Sequence, residues 1–356
     1  MSDLMQHVVR KAQDLCVPLS AHLDVTYRCN ERCIHCYLTH EDRGELSTVE
    51  VRGLLEQMAE AGVLFLLVSG GELFVRDDAL EILEHARRLA FNVKLKTNGT
   101  LIEEREAAEL ARIGVNEVQV SIYSAIPEVH DAITKLAGSL ARSIRAVRLL
   151  RSRGIQVMVS NVLMRKNARD YGGVKALATE LDARFAIDPT ITPHLDGARL
   201  LSPLNLVDVQ LKDVFLDERA VGDVAQFCAP PPAVDDSVLD GIPCSAGYTS
   251  CYVSPYGEVY PCVQFPLACG NVRRQRFADI WRQSAQMRKV RSIRARDLTV
   301  CHDCVHLASC TRCPGLAFME GDLRGPSRED CRKSLLRTGI LPAASAPGAD
   351  RPQPRR

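Results

Sequence analysis

The chain has 356 residues, of which 46% are hydrophobic, and 45 Lys and Arg residues nearly balance 44 Asp and Glu residues. This composition is that of an ordinary globular protein, and a formal net charge of +1 gives no support to nucleic-acid or anionic-membrane binding. The longest apolar stretch, residues 61–68, is too short for a transmembrane helix, and the N-terminal residues lack the apolar segment of a signal peptide. We therefore expect a cytoplasmic protein with no nucleic-acid or membrane partner.

The cysteines are the informative residues, and their distribution is uneven. Of 14, three form a compact group at Cys29, Cys33 and Cys36, ten lie between Cys228 and Cys331, and Cys16 stands alone. A reducing cytosol keeps cysteines as thiols, and clustered thiols there more often bind metal or take part in catalysis than form disulfides. Cys16 has no partner in sequence and is expected to be a plain buried thiol.

Short apolar runs alternate with amphipathic helical patterns over the first two-thirds of the chain. A capping box at Ser47 begins a helix that ends before Gly62. Further helices are predicted over 77–89, 103–113, 139–153 and 170–182, and strands over 21–27, 64–68, 93–96, 118–122, 155–159 and 185–187. Six strand–helix units predict an α/β fold with a parallel sheet, a partial (β/α)6 TIM-type barrel whose chemistry lies at the carboxyl ends of the strands.

The domain organisation follows from changes in composition. A triple proline at residues 230–232 interrupts the alternating pattern, and a Cys-rich, loop-rich stretch follows it. Four further prolines mark the last twenty residues. We expect an N-terminal helical lead over 1–19, the barrel over 20–225, a Cys-rich domain over 226–335 and a disordered tail over 336–356.

The first cysteine group has the spacing Cys29-x3-Cys33-x2-Cys36 and comes directly after the first predicted strand. Three thiolates on one loop can hold three corners of a cubane iron–sulfur cluster, which leaves the fourth iron open to a ligand. Tyr37 is expected to pack beside the cluster. A zinc site with His35 or His40 as fourth ligand is the alternative.

This motif, followed by an aromatic residue at the end of the first strand of a partial barrel, resembles the radical S-adenosylmethionine (SAM) superfamily. The second predicted strand ends in Ser69-Gly70-Gly71-Glu72, which is similar to the Gly-Gly-Glu segment of that family, although Leu73 stands where Pro is usual. The resemblance implies that this segment contacts the methionine amino group of SAM. Glycines let backbone carbonyls approach a ligand closely, and Glu72 supplies charge that faces an ammonium group. Alone, Gly-Gly after a strand is an ordinary turn.

Two further strand ends supply candidate SAM contacts. In similar enzymes a Ser on strand four and an Arg in the next helix contact the ribose and carboxylate of SAM, and the matching residues are Ser121 and Arg142. Asn98 closes strand three within Thr97-Asn98-Gly99. The alternative is that an Asn-Gly turn and a solvated helix Arg have no function.

The C-terminal cysteines resemble the SPASM extension of many radical SAM enzymes, which usually carries two auxiliary 4Fe–4S clusters. The spacing Cys301-x2-Cys304-x5-Cys310-x2-Cys313 has two residues in its last gap, where the family often has three. This departure leaves open whether one or two auxiliary clusters are present. The resemblance implies one cluster on Cys244, Cys262 and Cys313. It implies a second on Cys301, Cys304, Cys310 and Cys331.

The fourth ligand of the first auxiliary cluster is not given by the motif. Residues 253–259 predict a β-hairpin with Gly257 at its turn, and a turn centred between Tyr256 and Gly257 puts Cys251 opposite Cys262, a spacing of about 5 Å that suits two ligands of one cluster. Cys251 is therefore the favoured ligand. Cys228, Cys269 and an open iron are alternatives, and a zinc ribbon is the alternative for the whole block.

The resemblance implies a radical SAM oxidoreductase. Its cofactors are SAM and 4Fe–4S clusters, its reaction is reductive cleavage of SAM to a 5′-deoxyadenosyl radical that abstracts hydrogen, and its electron donor is an external protein of flavodoxin or ferredoxin type. The expected substrate is a ribosomally made peptide that receives a thioether or carbon–carbon crosslink. Tetrapyrrole side-chain modification in an alternative haem pathway is a second possibility. A non-catalytic iron–sulfur or zinc protein is the third, against which Gly70-Gly71-Glu72 argues. No catalytic acid or base is identified.

Overall fold

The computed structural model describes residues 3–40, 43–194 and 202–343. Within these residues the strands are β1 (Ser20–Asp24), β2 (Phe65–Ser69), β3 (Asn92–Thr97), β4 (Glu117–Ser121), β5 (Val157–Val162), β6 (Arg184–Asp188), β7 (Ser250–Val253), β8 (Glu258–Tyr260) and β9 (Gly270–Asn271). The helices are α1 (Asp3–Asp14), α2 (Thr48–Glu60), α3 (Ala79–Arg88), α4 (Glu104–Ile113), α5 (Pro127–Thr134), α6 (Ser139–Ser152), α7 (Tyr171–Glu180), α8 (Asp208–Phe215), α9 (Glu218–Val221), α10 (Val224–Phe227), α11 (Asp236–Leu239), α12 (Phe277–Gln283), α13 (Ala285–Arg291), α14 (Pro314–Met319) and α15 (Arg328–Thr338). Short 3-10 helices cover Leu73–Val75, Ser202–Leu204, Ala295–Asp297 and Cys301–Asp303.

One sheet contains all of these strands, in the order β6-β5-β4-β3-β2-β1-β7-β8-β9. Strands β1 to β6 are parallel, and each pairs with its neighbour in the chain. The sheet does not close on itself, because β6 and β9 are its two edges. This arrangement confirms the predicted α/β fold with an open, partial barrel of six strand–helix units.

The alternation of side chains along the strands separates an apolar face from a polar one. In β1, Ala21 and Leu23 belong to the main hydrophobic core beneath the helices, whereas His22 and Asp24 point to the opposite face. In β3, Leu95 is fully buried in the same core and Lys96 is exposed on the other side. The concave interior of the barrel therefore carries polar side chains on an apolar scaffold.

Three local features differ from the sequence prediction. Strand β1 ends at Asp24, not at residue 27, because the chain leaves the sheet there as the loop that carries the first cysteines. Strand β5 begins two residues later than predicted, because the N–H of Ile155 still bonds to the Leu150 carbonyl and closes α6. Helix α5 was not predicted; it begins with Pro127 in its first turn.

The Cys-rich part of the chain continues the barrel sheet. β7 pairs in parallel with β1, and β7 and β8 form the predicted antiparallel hairpin. The predicted boundary near residue 226 is thus crossed by hydrogen bonds between strands. At the C-terminus α15 runs to Thr338, into the first residues of the predicted tail, and residues 344–356 of that tail lie outside the described residues. None of the helices in the described ranges has the length and apolar character needed to cross a bilayer.

Candidate active site

The loop after β1 presents three thiols to a cleft at the carboxyl ends of the barrel strands. Cys29, Cys33 and Cys36 are all half-buried and line this cleft, which has a cavity volume of about 180 Å³. The loop is fixed on α5, since the N–H of Arg32 bonds to the Thr134 carbonyl at 3.0 Å and that of Ile34 to the Ile133 carbonyl at 2.9 Å. Helix α5, which the sequence did not predict, therefore supports the cysteine loop.

The thiols of this loop suit metal binding. Burial raises the pKa of Cys29 to about 12, and burial likewise raises the pKa of Cys36 above its usual range. A bound cation reverses this preference, because a coordinating thiol gives up its proton. In the described residues no three His, Cys, Asp or Glu side chains converge on one point as around a single ion. A cubane cluster makes no such demand, because each thiolate binds a different iron. The residues present therefore fit a cluster held at three corners.

The remainder of the cleft wall is built from successive strand ends. Each strand from β2 to β6 contributes a residue at or next to its carboxyl end, in agreement with the predicted location of the chemistry. These residues are Ser69, Gly70, Gly71, Lys96, Thr97, Asn98, Ser121, Tyr123, Ser160, Val162, Asp188 and Thr190.

Gly70 and Gly71 pack against the start of the cysteine loop. A Cβ on Gly70 would lie 2.2 Å from the Thr26 carbonyl oxygen, and one on Gly71 would lie 2.3 Å from that of Arg28. The N–H of Gly71 bonds to the Thr26 carbonyl at 2.8 Å. The two glycines are thus required for close approach of two backbones, which adds a structural role to the predicted contact with SAM.

The side chain of Glu72 is more deeply buried than the sequence predicted. Its side chain is fully buried, and its carboxylate accepts hydrogen bonds from the Thr97 hydroxyl at 2.8 Å and from the Asn98 N–H at 2.8 Å. Burial raises the pKa of Glu72 above its usual range. In this structure Glu72 fixes the end of β3 instead of facing the open cleft, and its direct contact with SAM stays a prediction.

Asn98 and Ser121 both line the cleft. The Asn98 amide nitrogen lies 3.9 Å from the Cys29 sulfur and donates to the Asn30 side chain at 2.9 Å. Ser121 lines the same wall as Tyr123, whose ring lies edge-on to His35 at a centroid distance of 4.6 Å. Asn98 and Ser121 are therefore adjacent to the place where a group held by the cysteine loop would lie.

Tyr37 and Arg142 occupy different positions relative to the cleft. Tyr37 lines it directly after Cys36, and burial raises the pKa of its phenol well above the usual range. Arg142 is half-buried outside the wall, and its guanidinium donates to the Ala137 carbonyl at 3.1 Å. Burial raises the pKa of Glu31 to about 7, and the charge of Arg142 opposes this rise. Arg142 does not line the cleft in this structure, and a contact with SAM stays a prediction.

Both histidines of the zinc alternative line the cleft. His35 lines the cleft, and burial lowers its pKa to about 4, so the ring is neutral. His40 lies further along the loop with its Nδ1 3.1 Å from the Tyr27 carbonyl oxygen.

Four C-terminal thiols line a second cavity, which has a volume of about 190 Å³. They are Cys301, Cys304, Cys310 and Cys331. The ring of His306 lies against the same cavity and is only 1% exposed. Burial raises the pKa of Cys331 to about 12, so this thiol is protonated until a bound cation displaces its proton. They are the four that the SPASM resemblance grouped together.

The remaining C-terminal thiols are near one another but occupy two environments. Cys244 and Cys262 pack around Phe265, and Cys313 lies 3.7 Å from the side-chain oxygen of Gln264. Cys251 is 3% exposed and lies in the main core together with Cys269.

The predicted register of the hairpin is wrong by one residue. Tyr252 pairs with Tyr260 and Val253 with Val259, so Pro261 follows opposite Cys251, not Cys262. The reason is a three-residue loop in which Gly257 has a φ of +87°. Burial raises the pKa of Cys251 to about 12. Cys228 lies elsewhere, with its sulfur 3.5 Å from the Phe215 carbonyl oxygen.

Sequence reasoning missed the polar residues that face the barrel interior. Lys96, Ser160 and Asp188 line the cleft from three different strands. The available signal was that Lys96 and Ser160 stand between buried residues of their strands; Asp188 ends β6, which has no buried residue, and gives no such signal.

The fold and the site together define a class of iron–sulfur enzyme. The chain matches the model of the radical SAM superfamily over residues 23–171 and that of SPASM, an iron–sulfur cluster-binding domain, over residues 244–305. It belongs to the radical SAM superfamily with a SPASM domain, and its cofactors are 4Fe–4S clusters and SAM. This membership decides against the zinc and the non-catalytic alternatives.

Three relatives illustrate the similarity. Mycofactocin maturase MftC of Mycobacterium tuberculosis strain H37Rv is 30% identical, over 95% of this chain and 90% of its own. An AdoMet-dependent heme synthase of Oleidesulfovibrio alaskensis is 28% identical, over 83% of this chain and 82% of its own. The crystal structure of Streptococcus suis SuiB bound to S-adenosylmethionine superimposes with a TM-score of 0.74 at 18% identity, over 92% of this chain and 80% of that one, which shows a common fold.

Proposed function

We propose that Cys29, Cys33 and Cys36 hold the catalytic 4Fe–4S cluster and that SAM binds beside it in the cleft. The observation that carries this proposal is that the three thiols line the cleft formed by the strand ends. The proposed SAM-binding residues are Tyr37, Gly70, Gly71, Glu72, Asn98, Ser121 and Arg142. When bound, the cluster and SAM supply a 5′-deoxyadenosyl radical that abstracts hydrogen from an unreactive C–H bond.

The protein positions and shields this chemistry. Gly70 and Gly71 keep the second strand end against the cysteine loop, and Glu72 fixes Thr97 and Asn98 on the third. Tyr37, Tyr123 and Val162 supply apolar surface in the wall, which excludes water from a reactive carbon radical.

The proposed auxiliary clusters lie in the Cys-rich part. Cys244, Cys251, Cys262 and Cys313 are the proposed ligands of the first. Cys301, Cys304, Cys310 and Cys331 are those of the second, supported by their shared cavity. An external protein of flavodoxin or ferredoxin type is the proposed source of electrons.

The proposed substrate is a ribosomally made peptide. Support comes from the maturase, which is 30% identical over nearly the whole length of both chains. Lys96 and Asp188 add charges of both signs to the cleft, which suits a substrate with peptide groups and polar side chains. The 28% identical heme synthase supports tetrapyrrole side-chain modification as the second candidate.

Two measurements test the proposal. After anaerobic reconstitution we expect about 12 Fe per chain for three four-iron clusters and formation of 5′-deoxyadenosine from SAM under dithionite. The triple variant Cys29→Ala, Cys33→Ala, Cys36→Ala should bind about 4 Fe less and form no 5′-deoxyadenosine. Cys16→Ala is the control and should behave as the wild type. Continued SAM cleavage by the triple variant contradicts the site.

The substrate is tested with peptides encoded beside the gene and, in parallel, with tetrapyrroles that carry carboxylated side chains. Mass spectrometry of a peptide product that has lost hydrogen supports the first candidate. Loss of carboxyl groups from a tetrapyrrole, with every such peptide unchanged, supports the second.

A further inference from the structure

Arg312 stands between the two groups of auxiliary-cluster thiols. It occupies the shortened gap between Cys310 and Cys313, and its residue is only 8% exposed. The side chain lines the cavity of Cys301, Cys304, Cys310 and Cys331, and it also lines a smaller cavity beside Cys244. One guanidinium therefore borders both places where an auxiliary cluster is proposed.

Two backbone carbonyls hold this guanidinium in place. Its Nε donates to the Gly325 carbonyl at 2.8 Å and its Nη2 to that of Leu323 at 2.5 Å. A planar fork fixed at two corners keeps its charge in one position, which a flexible Lys would not do.

Arg312 has no carboxylate partner in the part of the chain that the structure describes. No Asp or Glu oxygen there lies within 4.0 Å of it. A buried charge is costly unless an opposite charge compensates it. The clusters that belong to this family supply that charge, because a 4Fe–4S cluster on four thiolates carries net negative charge.

We propose that Arg312 is the shared counter-charge of the two auxiliary clusters and makes both easier to reduce. The inference rests on the ligand sets of the proposed function. One-electron reduction adds a negative charge to a cluster, and a fixed cation between the two stabilises that charge on either. Hydrogen bonding and net charge around the sulfurs are among the determinants of cluster potential. Because only two residues separate Cys310 from Cys313, Arg312 directly precedes the proposed cluster ligand Cys313.

The test uses the full chain with Cys29, Cys33 and Cys36 changed to Ala, so that only auxiliary clusters contribute. Arg312→Gln removes the charge, Arg312→Lys keeps it without the fork, and Arg288→Gln removes an exposed cation of α13 as the matched control. Iron is counted after anaerobic reconstitution, and midpoint potentials are measured by redox titration followed by electron paramagnetic resonance.

We expect Arg312→Gln to shift the auxiliary midpoint potentials to more negative values, Arg312→Lys to shift them less, and Arg288→Gln to leave them unchanged. If Arg312→Gln keeps its full iron content and has wild-type midpoint potentials, the role of Arg312 is overturned and the ligand sets of the proposed function are not. If Arg312→Gln loses iron, retention of iron by Arg312→Lys supports the counter-charge, and equal loss by Arg312→Lys overturns it. If the variant that lacks Cys29, Cys33 and Cys36 binds no iron, the proposed ligand sets are overturned, and this inference is overturned with them.

Discussion

The hydroxyl oxygens of Tyr27 and Tyr252 lie 2.6 Å apart, although 225 positions separate the two residues in the chain. Tyr27 precedes the cysteine loop, and Tyr252 is part of β7, the first strand of the Cys-rich part. Tyr252 in turn donates to the buried carboxylate of Asp24 at 2.8 Å. These hydrogen bonds join the segment that leads into the cysteine loop to β7, the strand that carries Cys251.

Loss of the Tyr252 hydroxyl should destabilise this junction. Tyr252→Phe leaves a buried Asp24 oxygen without its donor, which costs about 1–3 kcal/mol of unfolding free energy. Tyr260→Phe is the matched control, because Tyr260 lies opposite Tyr252 on β8 and is more exposed. Urea unfolding of the metal-free proteins measures both. Equal stability of the two variants would show that the network does not stabilise the junction.

The sequence was sufficient for the barrel because its signals are local. Each strand is a short apolar run such as residues 64–68. Glycines with a positive φ, such as Gly114 and Gly154, follow the ends of the helices. The structure confirms six parallel strands in chain order. Helix α5 was not predicted. It is a short helix over residues 127–134 immediately before α6, and the sequence pattern indicated a loop there and a helix only for α6.

The candidate site was predictable only where a motif is contiguous. Cys29, Cys33 and Cys36 share one loop, so their spacing alone placed them together. The partners of Glu72 could not be predicted, because Thr97 and Asn98 lie on another strand and only the folded sheet brings them close. The same holds for Asp24 and Tyr252. The hairpin register was wrong because the sequence shows a turn glycine but not the number of loop residues before it.

Gly71 should tolerate no side chain. In Gly71→Ala the new Cβ would lie 2.3 Å from the Arg28 oxygen and 2.8 Å from that of Tyr27, so the cysteine loop must move. We expect a loss of about 1–3 kcal/mol in stability and a lower iron content at the first cluster. Gly53→Ala in α2 is the control, with no atom within 4 Å of its new Cβ. Urea unfolding and iron analysis are the measurements. Wild-type behaviour of Gly71→Ala would contradict this close packing.

The fourth ligand of the first auxiliary cluster can be identified by iron counting. Cys251 and Cys269 are both buried in the main core, so replacing either by Ala leaves a comparable cavity. In the background without Cys29, Cys33 and Cys36, we expect Cys251→Ala to lower the iron content by up to about 4 Fe and Cys269→Ala to retain it. The reverse result assigns Cys269. Retention in both variants indicates an iron without a cysteine at its fourth corner.

The auxiliary clusters should serve the substrate and not the cleavage of SAM. Only the Cys29–Cys36 loop offers a three-thiol site on the cleft, whereas Cys310 and Cys331 belong to a group of four around a separate cavity. Cys310→Ala and Cys331→Ala should therefore abolish turnover of the substrate but spare 5′-deoxyadenosine formation without substrate. Some loss of solubility is also expected, because a loop-rich region without its metal loses folding energy. The measurement is 5′-deoxyadenosine formed by soluble variants whose first cluster is present by spectroscopy, with Cys16→Ala as the control. If cleavage stops while that cluster is intact, the auxiliary clusters deliver electrons to it.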